Sequence, residues 1–198
     1  MNTLNIEQEI DAFFTKVIQT LEKIDKSRLQ QFVKVLIDAY QRESTIFIFG
    51  NGGSANTASH FCGDFVKGVS YGFSKRFKII CLNDNISALM AIANDISYED
   101  IFSEQLKNFL KKDDVVIGIS CSGNSVNVIK AIEYANTVGA TTIALCGFRG
   151  GHLKRIANLV IHADIDDMEI SEDIHLIVTH FAKQAIIKWL QTSNCKMS

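Results

Sequence analysis

Two loops rich in glycine, serine and asparagine carry residue types that can hold a phosphate group. The first is Gly50–Ser54, and the second, Ser120–Ser125, reads SCSGNS. Each follows an apolar run and precedes a segment with helical spacing, so backbone N–H groups and hydroxyls would meet at a helix start, where an anion is stabilised. The same residues also favour N-caps and turns. Two such loops at two strand ends favour phosphate binding, although neither matches the GxGxxG or GxxxxGK[ST] pattern.

A histidine and a carboxylate follow the first loop at helical spacing. If Ala55–Lys67 is a helix, His60 and Asp64 lie on one face about one turn apart, as two metal ligands or as a surface ion pair. On the last predicted helix, Glu172 and His180 are roughly 80° apart around the axis and about 12 Å apart along it. They can meet at one ion only if both side chains extend toward it.

The other histidines give weaker signals. His175 lies about 140° around the helix from His180 and is expected to face elsewhere, toward another subunit for example. His152 and His162 are interpreted as a loop residue and a strand-end residue rather than as ligands.

Alternating strands and helices must position these residues. Two amphipathic helices open the chain, and a long helix, about Glu169–Gln191, closes it. Between them, apolar runs rich in β-branched residues alternate with helical patterns, which predicts an α/β fold with a parallel sheet covered on both faces. The predicted strands are Thr45–Gly50, Phe77–Leu82, Asp114–Ser120, Thr141–Gly147 and Asn158–Ala163. In such a sheet, ligands bind beyond the carboxyl ends of the strands, where both loops lie.

Length and composition exclude several classes of protein. The 198 residues fit one domain without a linker, and 20 Lys and Arg against 22 Asp and Glu give a net charge of −2 without the basic run of a nucleic-acid-binding tail. No apolar run reaches the roughly 18 residues of a membrane helix, and the acidic start is unlike a signal peptide. The five cysteines lack CxxC spacing and are expected to be inert, mostly buried thiols. We therefore expect a soluble, cytoplasmic protein that binds neither membrane nor nucleic acid directly.

Five motifs together resemble the sugar isomerase (SIS) domain family, and within it the phosphoheptose isomerases. They are GNGGSANTASHF, AIANDISYEDIF, GISCSGNSVNVIKAIEYA, GGHLKRIANLVI and EDIHLIVTHF, which fall in the family's order over essentially the whole chain. The resemblance implies a single SIS domain over residues 1–198, with a flavodoxin-like, doubly wound, five-stranded sheet. Residues 1–43 would form a helical extension that packs on the core or on a neighbouring subunit.

The resemblance also implies an activity. It is the aldose–ketose isomerisation of sedoheptulose 7-phosphate and D-glycero-D-manno-heptose 7-phosphate, the first step toward nucleotide-activated heptose for surface polysaccharide (lipopolysaccharide or capsule). The family further implies a homotetramer with active sites at subunit boundaries and one zinc ion per subunit.

Site residues transfer from the family motif by motif. The phosphate would be bound by Ser120, Cys121, Ser122 and Ser125. The sugar would be bound by Asn51, Gly52, Gly53, Ser54, Asn94 and Asp95, together with Asp64 and Glu172. The zinc ligands would be His60, Asp64, Glu172 and His180, with Asp64 as the catalytic base and His180 as the catalytic acid.

Two predicted metal-site positions depart from the family's best-known enzymes, and an arginine that those enzymes carry is missing. Asp64 stands where those have a glutamate, Glu172 where they have a glutamine, and Lys67 with Gly68 where they have an arginine. Both acidic replacements keep an oxygen ligand. The departures leave open an isomerase for another sugar phosphate. A non-catalytic regulator that binds phosphosugars, such as a replication-initiator-associating protein, is the rival of another class, although the retained His60, Asp64 and His180 favour an enzyme.

Overall fold

Five parallel strands form the centre of the computed structural model, which describes residues 4–192. The strand order is β2-β1-β3-β4-β5, the arrangement of a doubly wound sheet, which confirms the predicted fold class. The strands are β1 Thr45–Gly50, β2 Lys78–Cys81, β3 Val115–Ser120, β4 Thr141–Cys146 and β5 Leu159–His162. Central β1, β3 and β4 are almost entirely buried, as expected for parallel strands that are covered on both faces.

Helices cover both faces of the sheet. They are α1 Ile6–Lys23, α2 Lys26–Arg42, α3 Gly53–Gly63, α4 Ile86–Asp95, α5 Ser103–Phe109, α6 Val126–Val138, α7 Leu153–Ile156 and α8 Met168–Thr192. A π-helical segment, Asp64–Val69, continues α3, and a 3₁₀ turn, Tyr98–Asp100, precedes α5.

Side chains of β1 alternate between two hydrophobic cores, because successive strand residues point to opposite faces. Ile46 and Ile48 belong to the core beneath α2, α3 and α8. Phe47 and Phe49 belong to the core beneath α5 and α6, where the Phe49 ring stacks on Phe102 with centroids 4.7 Å apart. The sheet thereby holds α3 and α8 on one face and α6 on the other. The N-terminal end of each of these helices lies at the carboxyl edge of the sheet.

The N-terminal helices differ in how much they bury. Asp25 caps α2 by accepting hydrogen bonds from Ser27 and Arg28, and these bonds lower the pKa of its carboxyl group. The α2 helix packs against α8 and β5. The α1 helix contacts α8 but leaves an apolar face exposed. We call this face the α1 apolar face; its exposed members are Leu4, Ile6, Ile10, Phe13, Phe14 and Ile18.

Four cysteines within the described residues are free thiols. Cys81, Cys121 and Cys146 are buried and Cys62 is half-buried, while Cys195 lies outside the described residues. Burial raises the pKa of Cys81 and of Cys146 to about 12, so neither is a reactive thiolate at neutral pH. Within residues 4–192, no helix has the length and hydropathy to cross a membrane.

Candidate active site

Three serine hydroxyls converge in the loop that leaves the end of β3. Ser120 Oγ lies 2.9 Å from Ser125 Oγ and 3.4 Å from Ser122 Oγ. The backbone N–H of Asn124 donates to Ser122 Oγ at 3.1 Å, which fixes the loop in a tight turn. The result is a concave set of polar groups at the carboxyl edge of the sheet, the position predicted for phosphate.

Ser125 occupies the N-cap position of α6, but its side chain makes no capping hydrogen bond. Its hydroxyl instead joins the serine cluster. Ser125 therefore uses none of the N–H groups at this helix start, although the Val128 N–H donates to Asn127 Oδ1 at 2.9 Å. The helix dipole at this end favours an anion. This arrangement supports phosphate binding over a simple structural cap.

The loop after β4, residues 147–152, packs against the loop Ser120–Ser125, which we call the serine loop. Gly123 has φ +65°, and a Cβ built on it would overlap the carbonyl oxygen of Gly150. The N–H of Leu153 donates to the Gly123 carbonyl at 3.0 Å, and the N–H of His152 donates to Asn124 Oδ1 at 3.0 Å. Two backbone segments thus meet with no space for a side chain at position 123.

Asn51, at the end of β1, is held by side chains that the sequence did not single out. Its amide nitrogen donates to Asn127 Oδ1 at 2.9 Å, and its Oδ1 accepts from Asn127 at 3.0 Å and from the Tyr98 hydroxyl at 3.1 Å. Asn51 and Tyr98 line a cavity of about 240 Å³. Tyr98 lies within the motif AIANDISYEDIF, which is the signal that could have indicated it.

The start of α3 brings the two loops together. Ser54 Oγ lies 3.9 Å from Cys121 Sγ. Burial raises the pKa of the Cys121 thiol to about 11, so it lines the site without being a reactive nucleophile. Gly52, with φ +56°, starts the helix, and a Cβ on Gly53 would overlap the Glu172 carboxylate. Glycine at position 53 is therefore required for the Glu172 carboxylate to lie against the start of α3.

His60, Asp64 and His180 form a compact cluster between α3 and α8. His60 Nε2 is 3.2 Å from His180 Nε2, and Asp64 Oδ2 is 3.6 Å from the first and 3.9 Å from the second. One ligand atom from each residue lies within 4.8 Å of the other two. A tetrahedral zinc ion with bonds of about 2.0–2.1 Å separates its ligand atoms by about 3.3–3.4 Å. The three residues therefore fit a divalent ion in both donor type and spacing.

Glu172, the fourth predicted ligand, lies outside this cluster. Its carboxylate contacts the start of α3 at Gly53, and it shares a cavity of about 210 Å³ with His60. Burial raises the pKa of its carboxyl group, and the nearby charges of Glu169 and Asp173 raise it further. The separation along α8 keeps Glu172 and His180 apart, as their sequence spacing indicated.

Asp64 lies at the point where α3 passes into the π-helical segment, and it has a partner that sequence reasoning missed. The Lys183 ammonium donates to Asp64 Oδ1. Lys183 follows His180 by three residues on α8, so the two side chains lie on one face of that helix. This spacing was the available signal.

The remaining predicted residues lie at the edges of the site or away from it. Asn94 and Asp95 end α4, are exposed, and hydrogen-bond to each other at 2.7 Å. His175 faces away from His180 as expected, but it is completely buried in its own subunit and not directed toward another. His162 ends β5, and His152 lies in the loop between β4 and α7.

Comparisons with known proteins agree with this geometry. Residues 12–147 match the family model for the SIS domain. The phosphoheptose isomerase of Helicobacter pylori strain P12 is 37% identical over 175 residues, which cover 88% of this chain and 90% of the relative. That of Clostridium acetobutylicum is 34% identical over 186 residues, 91% and 94% of the two chains. The solved structure of phosphoheptose isomerase GmhA from Neisseria gonorrhoeae superposes with a TM-score of 0.85 at 27% identity, covering 93% of this chain and all of that one.

Proposed function

This chain belongs to the SIS domain family, and we propose that it is a phosphoheptose isomerase that interconverts sedoheptulose 7-phosphate and D-glycero-D-manno-heptose 7-phosphate. The observation that carries this proposal is the cluster of one carboxylate and two imidazoles between α3 and α8, in a chain that also carries the serine loop after β3. A protein that only bound a phosphosugar would need the serine loop alone. Relatives named phosphoheptose isomerase at 37% and 34% identity support the choice of substrate.

The phosphate group provides binding energy away from the reacting carbons. The hydroxyls of Ser120, Ser122 and Ser125 and the N-terminal end of α6 hold it, with the Cys121 backbone beside them. A fixed phosphate orients C1 and C2 of the sugar toward the acid–base residues, so that binding energy is used for positioning. Asn51, Gly52, Gly53 and Ser54, with Asn94, Asp95 and Glu172, contribute the surrounding polar surface.

The isomerisation moves one proton between C1 and C2 through an enediol, and a second between the two oxygens. We assign Asp64 as the base that removes and returns the carbon-bound proton, and His180 as the acid that serves the oxygens. Their facing atoms are 3.9 Å apart, so both groups can reach adjacent atoms of one substrate. Asp64 is mostly buried, with 15% of its side chain exposed, which limits competition from water.

We also propose that His60, Asp64 and His180 hold a zinc ion, with Glu172 as a further ligand if its side chain turns from Gly53. The support is the spacing of the three ligand atoms and their mixed nitrogen and oxygen chemistry. When bound, the ion would supply Lewis-acid polarisation of the substrate carbonyl.

Assembly and cellular place complete the proposal. The α1 apolar face places six exposed large apolar residues together, and exposed apolar patches mark interaction surfaces, which supports a homo-oligomer. We propose the tetramer of the family with sites at subunit boundaries. Free, unreactive thiols fit the reducing cytoplasm, where we place the reaction as the first step of activated heptose synthesis for surface polysaccharide.

Carbon NMR of the full chain with sedoheptulose 7-phosphate tests the proposal. One sample carries added zinc and a matched sample carries a chelator. We expect the aldose heptose signals to appear in the first sample and to be strongly reduced in the second. Conversion in neither sample would contradict this substrate, and a panel of other ketose phosphates would then distinguish another isomerase from a non-catalytic binder.

A further inference from the structure

The two carboxylate oxygens of Asp64 face different partners. Oδ2 faces His60 Nε2 and His180 Nε2 at 3.6 and 3.9 Å. Oδ1 pairs with the ammonium of Lys183, one turn further along α8 than His180. A single carboxylate therefore lies between a candidate metal position and a fixed positive charge.

The Asp64–Lys183 pair is partly shielded from water. Only 15% of the Asp64 side chain and 27% of the Lys183 side chain are exposed, so solvent and salt screen their attraction less than that of a surface pair. The other lysine in this part of α8, Lys188, is exposed. The protein therefore holds the Lys183 side chain against Asp64, whereas Lys188 extends into solvent.

The π-helical segment leaves room for this lysine. A Cβ built on Gly68 would lie 3.0 Å from Lys183 Cε and 3.3 Å from its Nζ, tighter than ordinary contacts. Glycine at position 68 therefore lets the lysine stem pass close to the backbone and reach Asp64. Two features far apart in the sequence, Gly68 and Lys183, together build the contact.

We infer that Lys183 is a resident cation of the site, which neutralises Asp64 in the absence of a divalent ion and competes with such an ion for that carboxylate. The second half of this inference rests on the proposed metal site, whereas the first half does not. A divalent ion bound at Oδ2 would lie near the ammonium at Oδ1, and the two like charges repel each other. Lys183 therefore weakens metal binding and keeps the site ordered when it is empty.

The opposite role is physically distinct. A hydrogen-bond partner that merely orients a ligating carboxylate strengthens metal binding, and its removal typically costs about 10- to 100-fold in affinity. A resident cation weakens metal binding, and its removal strengthens it. The sign of the affinity change on removing the ammonium separates the two roles.

A double-mutant cycle on the metal-free full chain tests the first half. The variants are Lys183→Met, Asp64→Asn and the double substitution, with Lys188→Met as the matched control on the exposed side of α8. We expect Lys183→Met to lower the melting temperature by about 3 °C, because it leaves a partly buried carboxylate unpaired. In a chain that already carries Asp64→Asn, the same substitution should have little effect, and Lys188→Met should behave as wild type.

Zinc affinity, measured by competition with a chromogenic chelator, tests the second half. We expect Lys183→Met to bind zinc about tenfold more tightly than wild type, and Lys183→Arg, which keeps the charge, to bind as wild type does. Zinc binding by Lys183→Met that is no tighter than that of wild type, or zero coupling between positions 64 and 183, would overturn the inference. Coupling and tighter zinc binding in a chain that fails to isomerise the heptose would refute the proposed function and leave the inference standing.

Discussion

The two roles proposed for Asp64 restrict each other. As the base it needs an oxygen that can take a proton from carbon, and as a ligand it donates an oxygen to a cation. A carboxylate bound tightly to a metal is a poorer base, so the two roles must be successive or be divided between its oxygens. Since Oδ1 pairs with Lys183 and Oδ2 faces both histidines, reaction at either oxygen requires one of these contacts to loosen.

Asp64→Asn removes the base and keeps the shape of the side chain. We expect kcat to fall at least about 100-fold, because general-base catalysis typically contributes that much, while sugar phosphate binding by the serine loop persists. Turnover by NMR and binding by calorimetry measure the two effects separately. Asp38→Asn, at a partly exposed position of α2 whose carboxylate pairs with Lys34 on the same helix, is the matched control. Turnover by Asp64→Asn within tenfold of wild type would place the base on another residue.

Two neighbouring loops pack together at the proposed phosphate site. The serine loop is in contact with the glycine loop after β4, and the backbone at Gly123 approaches Gly150 so closely that a methyl group does not fit. Gly123 also has φ +65°, a conformation that costs any other residue additional strain.

Gly123→Ala should therefore displace the serine loop. We expect KM for the sugar phosphate to rise at least about tenfold and the melting temperature to fall, because both backbone strain and overlap with the Gly150 carbonyl oppose the native loop. Steady-state kinetics and thermal unfolding measure these changes. Gly139→Ala is the control, since Gly139 also has positive φ (85°) but ends α6 with only an ordinary contact to Lys112. A KM increase of equal size in both variants would show that strain alone, and not the loop contact, is responsible.

Helix α8 carries one polar group that its packing does not satisfy. His175 is fully buried, and neither ring nitrogen has a hydrogen-bond partner among the described residues. Burial lowers the pKa of His175 from 6.5 to about 4. The nearby Cys146 backbone, which lies outside hydrogen-bond geometry, opposes this shift, and the charge of His162 adds to it. In the unfolded chain this imidazole takes a proton near pH 6.5, whereas in the folded chain it stays neutral. The unfolded state then binds more protons, so stability falls as the pH drops from about 6.5 toward 4.

His175→Leu should remove this acid sensitivity. The wild type is expected to lose on the order of 3 kcal/mol of unfolding free energy between pH 6.5 and 4 through this residue, and the variant to lose correspondingly less. Urea unfolding at several pH values measures the difference. His152→Gln, at a half-exposed loop position, should leave the pH dependence as it is in wild type. If the unfolding free energies of wild type and His175→Leu fell equally between pH 6.5 and 4, the loss of stability in acid would not come from this histidine.

The sequence predicted most of these elements from local patterns. The first strand, Thr45–Gly50, begins and ends at the predicted residues, because a turn precedes it and the polar loop from Asn51 to Ser54 follows it. At the sheet edge, Phe77 and Leu82 are buried as expected but lie outside β2, whose register with β1 covers Lys78–Cys81. The Leu82 N–H still donates to the Ile48 carbonyl of β1 at 3.0 Å. The π-helical turn after Gly63 was missed, because its apolar spacing still resembles an α-helix.

Within the site, local spacing predicted what lies on one helix and missed what folding brings together. His60 with Asp64 was accessible from a spacing of four residues. The contact of Asp64 with Lys183 and that of Asn51 with Asn127 join residues 119 and 76 positions apart. Such pairs depend on how α3, α6 and α8 pack on the sheet, which no local pattern contains.

At the scale of the whole chain, two features are not explained by a single subunit. The α1 apolar face exposes Phe14 at 58% and Ile10 at 49%. His60, although proposed as a metal ligand, has half of its side chain exposed. Burial of apolar surface is worth about 25 cal/mol per Å², so association through α1 would be favourable, and a neighbouring chain could also close the site.

Charges on the α1 apolar face should therefore break the assembly. We expect the double substitution Ile10→Asp and Phe14→Asp to convert an oligomer into a smaller species, because two buried charges without partners cost more than the contacts return. Light scattering coupled to size-exclusion chromatography measures the mass, and circular dichroism verifies that the fold persists. Gln19→Asp adds a charge on the polar side of α1 and should leave the mass unchanged. If the sites lie at subunit boundaries, isomerase activity falls together with the mass. Full activity in the dissociated chain would show that one subunit contains a complete site, and an unchanged mass would place the interface elsewhere than on α1.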